Sequence, residues 1–248
     1  MTDLSRSRTR RYALMASLIL GLSLWIAPGA VAKYRPPQTP SAPKDTTRPN
    51  ITRGGSCDSV GGTQSANLSS EIGLTPLVPL SHVGQTTSVR PTFVWFVVDR
   101  VPHRLEFRLF TRTGQPLYRA QLQSQPGIMS ITLPPDQPGL AIGQSYVWQV
   151  VLVCNPNAPS MNVVATAKIA VVKPSATLQP QLAAAQTPQQ RIDRYAESGL
   201  WYDALAEAQK SSRPAVLDLL NSLASSEAQS QKNWSDRLIQ IQNSEQQR

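Results

Sequence analysis

Histidine and cysteine, the residues that most often carry metal and nucleophilic chemistry, are nearly missing from this chain, with two of each in 248 residues. His82 and His103 stand in different segments with neither cysteine nor carboxylate at ligand spacing, so no zinc site is expected from spacing. There is no Gly-x-Ser-x-Gly elbow, and no Ser-x-x-Lys in a strand-to-helix context, which argues against the commoner serine hydrolase designs. The glycines of Arg53-Gly54-Gly55-Ser56-Cys57 are not followed by Gly-Lys-Ser/Thr or a helix signal, so they do not make a phosphate loop. Carboxylates are thin as well. Between Gly61 and Lys173 they are Glu71, Asp99, Glu106 and Asp136, whereas a glycosidase needs two flanking one cleft. No catalytic residue, cofactor or metal is assigned.

Long apolar runs are also scarce. The longest stretches from Ala13 to Ala27, shorter than the roughly 20 residues a bilayer core requires. Arg6, Arg8, Arg10 and Arg11 precede it, and Pro28-Gly29 and the small-x-small tripeptide Ala30-Val31-Ala32 follow. That order is a cleavable signal peptide over residues 1–32, so the expectation is an exported protein of the periplasm or cell surface, with no stable transmembrane segment after cleavage. Four arginines and Asp3 leave with the leader, which lowers the net charge from +9 to +6. No recognition motif concentrates that charge, and no nucleic-acid partner is expected.

What remains divides into three parts. Residues 33–52, with Pro36, Pro37, Pro40, Pro43 and Pro49 among polar spacers, form a Pro-rich linker. Residues 53–173 carry short β-branched and aromatic runs between turn residues: Phe93–Val98, Arg104–Phe110, Leu117–Leu122, Ile128–Leu133, Tyr146–Cys154 and Met161–Val172. About six such strands predict a mainly β fold, an antiparallel sandwich of two sheets. Tyr146, opening a strand just after the turn at Gly143, matches the corner tyrosine of immunoglobulin- or fibronectin-like sandwiches, and Trp95 matches their core tryptophan. Cys57 and Cys154 are paired candidates in an oxidising compartment, closing a loop worth about 4 to 5 kcal/mol in the chain-entropy model.

Residues 174–248 turn helical, with eight acidic and seven basic residues. There Gly199 separates two short amphipathic helices ahead of Trp201-Tyr202-Asp203-Ala204-Leu205, which resembles the junction of a single tetratricopeptide unit. One such unit cannot bury its own apolar face, so a C-terminal α-helical hairpin is expected, with Leu200, Trp201 and Leu205 as its docking surface for the sandwich or a protein partner.

Arg100, Arg104, Arg108, Arg112 and Arg119 cluster along one strand and its flanks. On a sheet face they form a basic binding surface for an anionic glycan, a lipid surface or an acidic protein partner. In Arg104–Phe110 the alternation puts Leu105, Phe107 and Leu109 inside and Arg104, Glu106 and Arg108 in solvent.

Taken together, Arg53 to Cys57, the prolines within Leu74–Leu80, Pro91 to Phe96, Gly127-Ile128, Tyr146 to Trp148, Cys154-Asn155-Pro156, Gly199 to Leu205, Trp234 and Leu238-Ile239 resemble a cyanobacterial domain-of-unknown-function family, number nine-two-eight. The resemblance spans roughly Arg53 to Ile239. It implies a place outside the cytoplasm and carries no established activity. The functional expectation is therefore a non-enzymatic binding or assembly module. The alternative is an extracytoplasmic hydrolase or wall-modifying enzyme built on Asp99, Glu106 or Asp136.

Overall fold

Period-2 alternation in the middle of the chain and amphipathic periodicity after residue 177 both become regular elements. The computed structural model describes residues 33–37, 56, 57 and 72–248. The leader, the greater part of the linker, Arg53 to Gly55 and Glu71 lie outside the described residues.

The strands are β1 (Thr75–Pro76), β2 (Gly84–Thr86), β3 (Thr92–Val97), β4 (Arg104–Thr111), β5 (Pro116–Gln123), β6 (Gly127–Thr132), β7 (Ser145–Val153) and β8 (Val163–Val171). A three-stranded sheet has the order β1-β3-β6, and a five-stranded sheet the order β2-β8-β7-β4-β5. All pairings are antiparallel except β2 with β8, which run parallel. The all-antiparallel expectation is corrected at that edge. β2 arrives from the other sheet through a loop and is not the second arm of a hairpin, so nothing obliges it to run against β8.

Five helices follow: α1 (Leu178–Ala184), α2 (Pro188–Glu197), α3 (Trp201–Ser211), α4 (Arg213–Glu227) and α5 (Lys232–Gln246). They hold more residues than the strands, so the chain is mixed α and β, not mainly β, and its C-terminal part exceeds a hairpin. The reason is compositional. Helices that bury only a stripe carry Gln, Ser and charge on the remaining faces, so a polar average conceals them. Thr187 and Ser212 cap α2 and α4, their hydroxyls accepting from Gln190 N at 3.2 Å and Ala215 N at 3.3 Å, and Pro188 and Pro214 occupy the first turns.

One buried cluster runs through sheets and helices alike. Phe93 and Trp95 of β3 meet Phe107 of β4 with ring centroids at 4.9 and 6.2 Å, and Phe93 meets Trp148 of β7 at 5.5 Å. Tyr202 of α3 reaches into this seam. Its hydroxyl accepts from Trp148 Nε1 and donates to the Lys168 carbonyl, each at 2.9 Å. The indoles of Trp201 and Trp234 donate to the carbonyls of Leu77 and Val78. The indole N–H groups of Trp148, Trp201 and Trp234 thus each have an acceptor, without which each would cost about 1–3 kcal/mol, whereas that of Trp95 is buried without one.

Tyr146 does what its position predicts, its hydroxyl accepting from the Ala141 N–H at 2.8 Å, and Trp95 is fully buried. Cys57 and Cys154 form a disulfide. Among the described residues no helix is long and apolar enough to cross a membrane.

The beginning of the segment taken for linker is not a spacer: Tyr34 is 2% exposed. Its ring stacks on His82 and meets Trp201 edge-on, and the Arg35 N–H donates to Ala196 O at 3.1 Å. Gly199 makes room for this arm. It closes α2 at φ 75°, and a Cβ there would stand 3.0–3.2 Å from the backbone of Pro37 and Arg35. A lone aromatic among prolines gives no periodic signal, so composition misses it.

Candidate functional site

On the outer face of the five-stranded sheet, β4 presents Arg104, Glu106 and Arg108, and β5 places Arg119 directly opposite Arg108. Glu106 is only 4% exposed, although its strand position points outward, because guanidiniums cover it. Arg104, Arg108 and Arg119 approach its carboxylate at 3.2, 2.7 and 2.7 Å. Hydrogen bonds from Arg108, reinforced by Arg119, hold the carboxyl below its ordinary range against the opposing effect of burial. Placing Glu106 in solvent was thus incorrect. The three side chains remain 51%, 36% and 57% exposed, so their outward N–H groups stay available and the cluster keeps a positive surplus. Arg100 and Arg112 do not join it. Both stand exposed in the turns that flank β4.

The carboxylates on which the hydrolase alternative would draw do not share a setting. Asp99 is buried and accepts from the Cys57 N–H at 2.6 Å, Glu106 lies under the arginines, and Asp136 is exposed in the loop after β6. The structure does bring His103 beside the disulfide, with ligand atoms of Cys57, Asp99 and His103 within 4.8 Å of one another. Asp99 stands close before His103 in the chain, and only the approach of Cys57, 42 residues before Asp99, was hidden by spacing. A sulfur committed to a disulfide is not a thiolate ligand, however, so the three do not form a metal site in this oxidation state.

Of the two alternatives for the docking surface, the residues meet the rest of this chain and not a partner. Leu200, Trp201 and Leu205 are 4%, 0% and 1% exposed. Helix α3 is the inner helix, packed on β2 and β3 with α2 and α4 beside it, so residues that one isolated hairpin would expose are consumed within the fold.

A second site was not anticipated. Where α3 and α2 meet the loop after β2, a cavity of about 330 Å³ opens, lined by Thr87, Ser88, Tyr195, Asp203, Glu207 and Lys210 among others. Asp203 is 9% exposed and accepts from Thr87 N at 2.8 Å and more weakly from Thr87 Oγ1 at 3.4 Å. Burial pushes its carboxyl up to about 6, with the neutral donors Thr86 and Thr87 opposing. One turn on, Glu207 receives Arg191 at 3.3 Å and Lys210 at 3.1 Å. The spacing Asp203, Glu207, Lys210 on one helical face was available in the sequence, but the facing loop was not.

A third polar array fastens the arm. Glu227, fully buried, accepts from Ser81 N at 3.0 Å and from Ser81 Oγ at 2.8 Å. His82 Nδ1 lies 2.9 Å from that same hydroxyl, and Nε2 lies 2.6 Å from Tyr34 OH. Burial lowers His82 to about 4, so the ring is neutral at pH 7. With the Ser81 proton on Glu227, Nδ1–H donates to Ser81 and Nε2 accepts from Tyr34.

A family model described as Domain of Unknown Function (DUF928) matches residues 52–241. The chain belongs to that family. The matched range takes in both sheets, the arginine cluster and the residues that line the cavity under α3. No curated protein matches the chain.

Proposed function

We propose that this is an exported, non-enzymatic binding or assembly module of the periplasm or cell surface, whose two sheets form an immunoglobulin- or fibronectin-like sandwich and whose arginine face meets an acidic partner. The observation that carries the reading is the set of three guanidiniums fixed on Glu106, a preoriented cationic surface with its donors facing outward. Preorientation matters because arginines already held in place lose less rotamer entropy when an anion arrives. The leader-like N-terminus and the Cys57–Cys154 disulfide support export. The corner bond of Tyr146 supports the sandwich class.

The test is retention of the chain from Lys33 onward on an anionic polysaccharide resin and on anionic vesicles, beside Arg104→Ser/Arg108→Ser. Expected is binding that weakens steeply between low and physiological salt and falls at least tenfold in the double variant. Equal retention of both proteins removes the arginine face from the reading.

The hydrolase alternative has one observation in its favour, that Asp203 and Glu207 line the same cavity. It ranks second because Asp203 is bonded to the loop after β2, while Arg191 and Lys210 hold Glu207, so neither is aimed as acid or base. Release of reducing ends from wall polysaccharide, lost in Glu207→Gln, would restore it.

A further inference from the structure

The cavity under α3 is not needed to explain the fold, and its lining differs sharply from the arginine face. Four charged side chains border it, Arg90, Asp203, Glu207 and Lys210, and their formal charges cancel. Arg90 is moreover turned toward two carbonyls, Pro135 O at 2.9 Å and Gln137 O at 2.8 Å. Lys210 is held by Glu207 at 3.1 Å, and Glu207 is also met by Arg191 at 3.3 Å, so each charge that borders the cavity is already engaged and a strongly charged ligand finds no free partner among them.

Hydroxyls dominate the rest. Thr87 and Ser88 come from the loop after β2, Thr92 from β3, Thr132 from β6 and Tyr195 from α2. A serine or threonine hydroxyl has one proton to donate and two lone pairs, and a tyrosine hydroxyl both donates and accepts; of these, Ser88 Oγ already accepts from the Arg90 N–H at 3.1 Å and Thr87 Oγ1 donates weakly to Asp203 at 3.4 Å. Thr92 and Thr132 lie 2.8 Å apart, and their bond uses only one of the two protons, so the other hydroxyl still has a donor to offer. Glu207 and Lys210 add an acceptor and a donor. Tyr195, partly buried, contributes an aromatic ring with a polar tip, and Pro91 and Ala206 add apolar surface.

We infer that this cavity binds a neutral pyranose unit, of one or two rings. The volume of about 330 Å³ lies at the small end of ligand sites, the balanced charge selects a neutral ligand, and alternating donors and acceptors match a ring of hydroxyls that are each both. The site is separate from the arginine face and stands or falls without it.

Saturation-transfer NMR with maltose, cellobiose and N,N′-diacetylchitobiose at millimolar concentration on the chain from Lys33 onward tests it. Saturation of at least one sugar is expected, with its affinity lowered about fivefold, the loss of one hydrogen bond, in each of Thr132→Val and Lys210→Ala. Both changed residues are exposed, so circular dichroism and thermal midpoint should hold in the variants. The signal should persist in Arg104→Ser/Arg108→Ser. Saturation of none of the three sugars overturns the inference. So does saturation that is unchanged in both cavity variants, or lost only with the arginines.

Discussion

Glu106 and Asp203 are both carboxylates taken almost out of water, at 4% and 9% exposure, yet their protonation moves in opposite directions. Glu106 on the outer sheet face is met by three guanidiniums, and charged donors outweigh the cost of burial. Asp203 on α3 is met by the hydroxyl and amide donors of a threonine loop, and there burial wins. Burial alone therefore does not fix the state of a carboxyl; the charge of its donors does. The same contrast separates the two candidate sites, one a cationic surface held open to solvent, the other a neutral, hydroxyl-lined cavity in the seam between layers.

The largest expected effect breaks the seam itself. Trp201→Ala removes a fully buried indole and the bond to Leu77 O, and should cost about 3–5 kcal/mol in urea unfolding. Arg104→Ser should cost less than about 1 kcal/mol by the same measure. Comparable losses from the two would mean that the outer face is part of the fold's support.

Asp203→Asn sharpens the comparison in pH. The folded carboxyl stands near 6 against 3.8 unfolded, so its contribution is fully present below pH 3.8 and is lost as pH rises through 6. The ionised group then costs the fold at most about 3 kcal/mol at pH 8. The asparagine variant should be as stable as the parent near pH 4, more stable at pH 8, and flatter between, as followed by thermal midpoint. A variant less stable at pH 8 would show that the carboxylate is needed charged.

Glu106→Gln has the smallest expected effect and the opposite sign. A carboxyl held low in the fold stabilises above its unfolded pKa of 4.5 and loses that contribution as pH falls through its folded value. The glutamine variant should lose about 1 kcal/mol or less at pH 7, since the arginines are largely exposed, and nothing at pH 2. Its difference from the parent should shrink in 1 M salt.

Much of the sheet region was legible because a strand states its two faces residue by residue. Strands β3 to β8 fall within two residues of their expected ranges, and Leu105, Phe107 and Leu109 point inward as the alternation requires. β1 and β2 escaped because two or three residues in a Gly-, Ser- and Thr-rich stretch carry no period. In the helical region the apolar residues were recognised, but the surface they meet was left open. Trp201 and Leu205 were visible as a stripe, but a stripe does not say what covers it, and the covering partners lie more than a hundred residues away at Leu77 and the strands beyond.

Chain-local signals were enough for strands β3 to β8 and their inner faces, the helical character of the C-terminal part, the cysteine pair and the corner tyrosine, because each is specified by neighbours in the chain or by chemistry with no competitor. Tertiary structure alone decided that Tyr34 is core, that Glu106 gathers three arginines, that Trp201 is interior and that Asp203 faces a threonine loop across a cavity. Each of these depends on which distant group arrives opposite, and that is set by how sheets and helices stack to share one buried cluster.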